Sequence, residues 1–212
     1  MTTMGPDITK SALIIVDMQN DFIHPNGAFG WLARQQPERS IDQQFLASTI
    51  SSVKKLAEAF RKAGRPVLYI AHVVKPNYSD AAFPYWRGAG LKEKQFIVEG
   101  TWGAQIVDEL APQKGEHLVI KKGFGGFSNT PLDTILRNLG VNTCVVTGVT
   151  TCVCVSTTIR GGGEYNYRMI IVNDATAEIQ REQHEAELKT MARVFADVKT
   201  TDEVLKMLKD IK

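Results

Sequence analysis

The chain has 212 residues, of which 43% are hydrophobic and 23% are charged, so it is long enough for the core of one α/β domain. Its 25 basic and 23 acidic residues are mixed along the sequence and give a net charge of +2, which argues against a nucleic-acid partner and favours a small-molecule ligand. We expect no membrane partner and a cytoplasmic location, because no apolar stretch approaches the ~20 residues that cross a bilayer, no signal-peptide core is present, and three cysteines suit a reducing compartment.

Short apolar runs alternate with longer amphipathic segments along the chain, which is typical of βαβ units. The predicted strands are residues 12–16, 66–71, 117–120, 143–147, 169–172 and 196–199. The predicted helices are residues 45–63, 103–110, 132–139, 153–161, 181–195 and 201–208. We therefore predict a single domain over residues 1–212 with a three-layer α/β/α fold, in which a six-stranded, mostly parallel sheet carries helices on both faces.

Cys154 lies where the strand at residues 143–147 gives way to the helix at residues 153–161. Unpaired N–H groups and the positive end of the helix dipole favour a thiolate there, and the same N–H groups suit an oxyanion. Cys144, inside the strand, is interpreted as a small buried hydrophobe. Cys152 and Cys154 form a C-x-C pair, but no second Cys or His pair completes a zinc pattern, so we predict no metal.

Reactive side chains also follow two other predicted strands, namely Asp17 and either Lys121 or Lys122. Ligands of open parallel sheets bind at the carboxyl ends of the strands, so we expect an acid, a cation and the Cys154 thiol to meet. Such a set divides the work of acyl transfer between a base, a thiolate-stabilising charge and a nucleophile. Alternatively, Asp17 caps a turn through Asn20 and the lysine is one of many scattered cations.

These residues lie in motifs through which the chain resembles the isochorismatase-like cysteine hydrolases over nearly its whole length. Residues 16–22, Val-Asp-Met-Gln-Asn-Asp-Phe, resemble the first motif of that family, which implies that Asp17 is the general base. Lys121, with Phe127 at the familiar spacing, resembles the catalytic lysine segment. The resemblance therefore implies Lys121 rather than Lys122 as the catalytic cation.

Residues 148–155 resemble the nucleophile motif of the same family. The resemblance implies that Cys154, rather than Cys152, is the attacking thiol. It also implies a cis peptide bond between Val149 and Thr150, and an oxyanion hole formed by the backbone N–H groups of Thr150 and Cys154.

Three further segments, at residues 100–102, 107–110 and 127–133, are most similar to amidohydrolases of the ureidoacrylate and biuret type. This similarity implies a cysteine-dependent amidohydrolase that cleaves a C–N bond of a small ureido or carbamoyl amide. The reaction would pass through a thioester and release ammonia or carbamate. The resemblance further implies that no cofactor is needed and that the protein is a homodimer or homotetramer.

The chain departs from the family pattern at two glycine-rich places. Gly125 and Gly126 stand where the family usually has Ser-Ala or Ser-Gly, which predicts a looser loop beside the lysine. The three glycines at residues 161–163 predict a weakened end of the helix that begins at the nucleophile.

Three alternative functions are weighed against the amidohydrolase. Nicotinamidases bind a metal through an Asp-x-His-x-x-His segment that residues 72–76 do not supply, so we predict no catalytic metal. Isochorismatases typically lack the nucleophilic cysteine, which makes that activity a minor alternative. A redox-responsive pair formed by Cys152 and Cys154, or a binding module with a residual triad, is the alternative from another class.

The segment at residues 73–100 is rich in proline, glycine and aromatic residues and is too long for a plain connection, which favours a lid or a subunit arm. The predicted walls of the substrate pocket are Phe22, Trp86 and Phe127. Three histidines are assigned no catalytic role: His24 follows Phe22 closely in sequence but is not assigned to the pocket, His117 is expected to be structural, and His184 is expected to be solvated or at a subunit contact.

Overall fold

The computed structural model of the chain describes residues 6–82 and 90–210. Six strands form one sheet in which every pair of neighbours is parallel, in the order β3-β2-β1-β4-β5-β6. The strands are β1 Ser11–Val16, β2 Val67–His72, β3 His117–Lys121, β4 Thr143–Val149, β5 Arg168–Ala177 and β6 Asp197–Lys199. All six predicted strands are present, and the predicted parallel α/β sheet is confirmed.

The α-helices of the described residues are α1 Asn20–Ile23, α2 Ala28–Gln35, α3 Gln43–Lys62, α4 Leu132–Asn138, α5 Ser156–Glu164, α6 Arg181–Thr190 and α7 Thr201–Lys209. Short 3-10 turns occupy Ile8–Lys10, Pro37–Arg39 and Asp108–Leu110, and π-helical turns occupy Thr151–Val155 and Met191–Phe195. The helices α1 and α2 were not predicted from the sequence. None of these helices has the length and apolar character of a membrane span.

Alternate residues of the central strands divide the hydrophobic core into two layers. Leu13 and Ile15 of β1 point into the layer covered by α3 and α7, whereas Ile14 and Val16 point into the layer that contains residues of α4, α5 and α6. This period of two places helices on both faces of the sheet, as the three-layer fold requires.

The order of the strands reverses beside β1. The chain continues from β1 to β2 and β3 on one side of the sheet and then crosses back to place β4 on the other side of β1. Connections that leave the carboxyl ends of β1 and β4 therefore run in opposite directions and open a crevice between them. Asp17 follows β1 and Cys154 follows β4 at this crevice.

The helix predicted at residues 103–110 is wrong except for the 3-10 turn at its end. Backbone carbonyl groups of residues 103–105 accept hydrogen bonds from the motif after β1 instead of from a helical turn: Gly103 from the Asp21 N–H at 2.9 Å, Ala104 from the Gln19 side chain at 2.9 Å, and Gln105 from the Asn20 N–H at 2.9 Å. These bonds attach the segment to the connection that follows β1 at the crevice.

The glycines at residues 161–163 lie inside α5, which continues to Glu164, and the weakened helix end stays a prediction. A Cβ atom on Gly162 would lie 2.6 Å from the Met169 sulfur and 3.0 Å from the Phe127 ring. The absence of a side chain thus lets α5 pack closely on β5.

The described parts of the segment 73–100 pack against the body of the protein. Val74 pairs with Val98 in an isolated bridge, and Leu91, Phe96 and Ile97 are buried. The predicted pocket residue Trp86 lies outside the described residues, and the proposed lid or arm stays a prediction.

Candidate active site

Asp17, Lys121 and Cys154 meet at the carboxyl edge of the sheet. The Lys121 Nζ lies 2.9 Å from the Asp17 Oδ2 and 3.2 Å from the Cys154 Sγ. Asp17 and Lys121 are fully buried and Cys154 is 5% exposed. The structure therefore brings together the three residues to which the sequence analysis assigned catalysis.

Lys121 is the last residue of β3, two strands away from Asp17, and its side chain spans the end of β2 to reach the aspartate. Its ammonium group also donates to the Gly123 carbonyl at 3.0 Å. The three N–H bonds of a lysine thus face three acceptors, a carboxylate, a thiol and a carbonyl, which accounts for complete burial of the charge. The alternative in which Lys121 is a scattered cation is wrong.

The backbone holds Asp17 in a left-handed conformation with a φ of 51°. Its N–H donates to the Ile70 carbonyl of β2 at 2.9 Å, so the neighbouring strand secures this conformation. The Asn20 side chain donates to the Trp102 carbonyl, and the expected alternative in which Asp17 caps a turn through Asn20 does not describe this site. A left-handed backbone conformation costs free energy in a residue other than glycine and is typical of functional positions.

Gly148 permits the close approach of β4 to β1 just before the π-helical turn Thr151–Val155, which carries Cys154 and is hereafter called the nucleophile turn. It has a φ of 107°, and a Cβ atom there would lie 2.0 Å from the Val16 carbonyl oxygen. Only glycine fits both conditions. The adjoining Val149–Thr150 peptide bond is cis.

The pKa values of the three groups determine the resting protonation state. Burial alone would lower the pKa of Lys121, but its ion pair with the Asp17 carboxylate is the largest of the effects that outweigh burial and raise it, so the ammonium stays charged. Burial raises the pKa of Asp17, with Lys121 opposing. Burial, and then the Asp17 charge, raise the pKa of Cys154. The raised pKa favours the thiol form of Cys154, whereas the helix dipole favours the thiolate.

Cys154 belongs to the π-helical turn Thr151–Val155 rather than to the first turn of a regular α-helix. The carboxylate of Glu178, at the end of β5, accepts the Cys152 N–H at 2.7 Å and so holds the start of this turn. Glu178 is buried, yet the sequence analysis missed it. No local sequence signal marks it, because its partner is 26 positions away.

His184 also supports the nucleophile turn. Its Nδ1 lies 2.8 Å from the Thr151 hydroxyl and its Nε2 lies 3.1 Å from the Asn173 side-chain oxygen. The side chain is buried and burial lowers its pKa, so the prediction of a solvated histidine is wrong. The polar residues around it on α6 conceal this inward position in the sequence.

A cavity of about 610 Å³ opens above Thr150 and Cys154. Its walls are largely apolar and include Phe22, Phe29, Leu32, Ile41, Leu91 and Phe124. Phe22 is thus a wall as predicted. Phe127 does not line this cavity. Its ring packs on Tyr165, Tyr167 and α5, where the absence of a side chain at Gly162 leaves room for it.

Gly125 and Gly126 are buried rather than loose. The Gly126 N–H donates to the Thr158 hydroxyl at 2.9 Å, and a Cβ atom there would lie 2.4 Å from the Ile70 side chain. A Cβ atom on Gly125 would lie 2.9 Å from Thr157. The pair therefore lets the segment after Lys121 pack on α5, which corrects the expectation of a looser loop.

His72, at the end of β2, lies beside the three site residues. Ligand atoms of Asp17, His72 and Cys154 lie within 4.8 Å of one another, a spacing that a metal ion could bridge. The Lys121 ammonium already supplies a positive charge to two of these groups. Burial, and then Lys121, lower the pKa of His72 to about 3, so its ring is neutral and its Nε2 donates to the Lys122 carbonyl.

The two other histidines lie away from the thiol. His24 stacks edge-on against Trp102 and does not line the cavity. His117 is exposed at the start of β3.

Comparison with known proteins identifies the family. The family model described as the isochorismatase domain matches residues 11–203. The ureidoacrylate amidohydrolase RutB of Pseudomonas syringae pv. syringae (strain B728a) is 31% identical over 207 residues, which cover 92% of this chain and 82% of that protein.

Solved structures agree with this result. A cysteine hydrolase from Pseudomonas syringae pv. phaseolicola 1448A superposes with a TM-score of 0.84 and 29% identity over 99% of each chain. The N-carbamoylsarcosine amidase of Thermoplasma acidophilum has a TM-score of 0.72 and 31% identity over 91% of this chain and 97% of its own. The resemblance noted in the sequence motifs is confirmed, and the chain is a hydrolase that belongs to the isochorismatase family.

Proposed function

We propose that the protein is a cysteine-dependent amidohydrolase that cleaves a C–N bond of a small ureido or carbamoyl amide, with Asp17, Lys121 and Cys154 as its catalytic residues. The observation that carries this proposal is the buried ammonium of Lys121, in contact with both the carboxylate and the thiol. Two relatives named for activity on such compounds, a ureidoacrylate amidohydrolase and an N-carbamoylsarcosine amidase, support the substrate class.

In the proposed reaction Asp17 takes the proton of the Cys154 thiol as the sulfur attacks the amide carbonyl carbon. Burial raises the pKa of Asp17 and so makes it a stronger base than a solvated carboxylate. Lys121 stabilises the developing thiolate, since its charge acts to lower the pKa of the thiol. The amide nitrogen then leaves with the proton held by Asp17, and a thioester remains.

Water completes the cycle by attack on the thioester carbonyl, with Asp17 accepting a proton from the water and the sulfur leaving as the thiol. We assign the oxyanion hole to the backbone N–H groups of Thr150, which directly precedes the nucleophile turn, and of Cys154, which lies within it. The products are ammonia or carbamate and the remaining part of the amide.

The redox alternative finds less support. Burial, and then the charge of Glu178, raise the pKa of Cys152 to about 12, so this thiol is a poor nucleophile at neutral pH. In a sensor pair Cys152 would have to attack the oxidised Cys154, and a thiol with so high a pKa does so slowly.

We also propose that residues 1–212 form one domain and that the protein acts in the cytoplasm as a homodimer or homotetramer. Light scattering coupled to size-exclusion chromatography tests the oligomeric state, and a monomer at micromolar concentration would refute it.

Ammonia release from a panel of ureido acids, carbamoyl amides, biuret and nicotinamide tests the proposed function. We expect turnover of a ureido or carbamoyl compound in the unmodified protein and in Cys152→Ala, and its loss in Cys154→Ala at equal folded concentration. Turnover that survives in Cys154→Ala would refute the nucleophile. Cleavage of isochorismate alone, measured separately as pyruvate release, would favour the minor alternative.

A further inference from the structure

A positively charged side chain, that of Arg39, lines the cavity above Cys154. Among the described residues that line it, the charged side chains are Glu38, Arg39 and Glu178. The two oxygens of Glu178 accept the backbone N–H groups of Cys152 and Ile179, at 2.7 and 2.9 Å. The Glu178 charge is thereby directed at the protein backbone, and Arg39 is the positive group that remains to face a ligand.

Arg39 ends the 3-10 turn Pro37–Arg39 between α2 and α3. Its carbonyl accepts from the Gln180 side chain at 3.2 Å, which attaches this turn to the connection after β5 that also carries Glu178. Its Nε donates to the Gln36 side-chain oxygen. The first bond holds the backbone of Arg39 beside the cavity, and the second orients its side chain.

The guanidinium of Arg39 has no carboxylate partner within ion-pair distance among the described residues. Arg181, close by in sequence to Gln180, shows the contrast, because its Nε lies 2.9 Å from the Asp42 carboxylate. A planar guanidinium without an acid partner, beside an apolar cavity, suits a ligand carboxylate, which it can bind through two N–H groups.

The size of the cavity supports a substrate with two different ends. A volume of about 610 Å³ exceeds the need of a carbamoyl group alone, and the walls between its polar groups are apolar. An amide at Cys154 and a carboxylate at Arg39, joined by a short carbon chain, would satisfy both polar ends and bury the chain. A neutral compound such as biuret would leave Arg39 without an ionic partner.

We propose that Arg39 binds the substrate carboxylate and that the enzyme therefore prefers short ureido or carbamoyl acids to neutral amides. This inference rests on the proposed amidohydrolase function and adds to it the charge of the substrate and the residue that selects it. Glu38, adjacent to Arg39 and exposed, acts in the opposite sense, because its charge repels the same carboxylate.

The test compares kcat and KM for 3-ureidopropionate, ureidoacrylate, the neutral analogue 3-ureidopropanol, and biuret. We expect Arg39→Gln to lower kcat/KM for the two acids roughly 10- to 100-fold, mainly through KM, since hydrogen bonds to charged groups are worth about 1.5–3 kcal/mol. The neutral compounds should change less than about twofold. Arg39→Lys should recover part of the loss, because it keeps the charge but not the paired N–H groups.

Two further variants provide matched controls. Glu38→Gln, on the same turn, should lower KM for the acids, and Arg34→Gln, an exposed arginine of α2 that does not line this cavity, should change neither class. Added salt should raise KM for the acids in the unmodified protein and have less effect in Arg39→Gln.

Each outcome discriminates between the two proposals. Equal losses for acids and neutral compounds in Arg39→Gln, or a preference of the unmodified protein for neutral amides, would overturn the role of Arg39 and leave the amidohydrolase intact. Failure to hydrolyse any ureido or carbamoyl compound would refute the proposed function and this inference with it.

Discussion

Lys121 is the residue on which the chemistry of the site depends. A wholly buried ammonium is expensive unless its N–H groups are all satisfied, and here a carboxylate, a thiol and a carbonyl satisfy them. Because Lys121 stays charged and the raised pKa of Cys154 favours its thiol form, Asp17 is the member of the three that can accept a proton. The contacts that permit burial of the ammonium therefore also support the proposed transfer of the thiol proton to Asp17.

Opposite changes of the thiol pKa test these charges. We expect Asp17→Asn to lower the pKa of Cys154, because the Asp17 charge raises it, and Lys121→Met to raise it further, because the Lys121 charge lowers it. Both variants should lose turnover by roughly 100-fold or more, as expected when an acid-base or charge-stabilising group is removed. The pH dependence of iodoacetamide alkylation, measured beside ammonia release, checks both effects.

Circular dichroism of the two variants supplies the control. If both unfold, their role is structural rather than catalytic. A shift of the alkylation midpoint in the same direction in both variants would contradict the assigned charges.

At the scale of elements, the nucleophile turn depends on neighbours that are remote in sequence. Glu178 at the end of β5 accepts the Cys152 N–H, and His184 on α6 contacts the Thr151 hydroxyl. The turn therefore takes its shape from β5 and α6 as well as from its own residues, which places Thr150 and Cys154 at one end of the cavity.

Removal of the Glu178 carboxylate tests this support. Glu178→Ala leaves the Cys152 and Ile179 N–H groups without their acceptor, so we expect a loss of about 1–3 kcal/mol in the free energy of unfolding and a lower kcat. Glu178→Gln should lose less, because its amide oxygen still accepts one bond. Urea unfolding measures the loss. Glu185→Ala, at an exposed position of α6, is the control, and an equal effect there would refute the assignment.

The close packing of α5 on β5 leads to a second prediction at this scale. In Gly162→Ala the new methyl group meets Met169 and Phe127, so we expect a destabilisation of about 1–3 kcal/mol from overpacking. Gly163→Ala, one residue later and with open space around its Cβ, should stabilise the helix by up to about 1 kcal/mol. Thermal unfolding compares the two variants, and equal shifts would contradict the packing explanation.

At the scale of the whole molecule, the pairing of strands in the sheet brings the residues of the site together. β1 and β4 pair in register from Ser11 with Thr143 to Val16 with Gly148, so Asp17 and the nucleophile turn emerge side by side. On the other side of β1, the register of His72 with Lys121 places these two residues side by side at the ends of β2 and β3. Burial of these groups couples the stability of the fold to pH.

His72 carries the clearest pH dependence. Its pKa is lowered to about 3 in the folded protein, from an ordinary value of 6.5, so between these two values the unfolded chain binds a proton that the folded chain does not. Its contribution to stability is complete above about pH 6.5 and decreases as the pH falls toward 3. We expect the urea midpoint to fall between pH 7.5 and 5, and to fall less in His72→Gln. His117→Gln, exposed on β3, should follow the unmodified protein, and an unchanged slope in His72→Gln would refute the assignment.

Much of the fold could be predicted from the sequence because it follows from local patterns of apolar residues. The six strands are short apolar runs whose type does not depend on distant partners, and the sites after β1, β3 and β4 follow from their positions at strand ends. Asp17, Cys154 and a lysine at position 121 or 122 could therefore be named from strand position, and the family resemblance selected Lys121.

The tertiary structure decided what depends on contacts between distant segments. Most of the segment predicted as a helix at residues 103–110 is a loop held by hydrogen bonds from Gln19 and Asn20. Phe127 packs on α5 instead of lining the cavity. Glu178 and His184 are buried against the nucleophile turn. The sequence by itself determined the sheet and the identity of the reactive groups, because both follow from local hydrophobicity and strand position. Only the folded chain decided the protonation of these groups and the walls around them, since burial and pairing across the sheet are properties of the whole molecule.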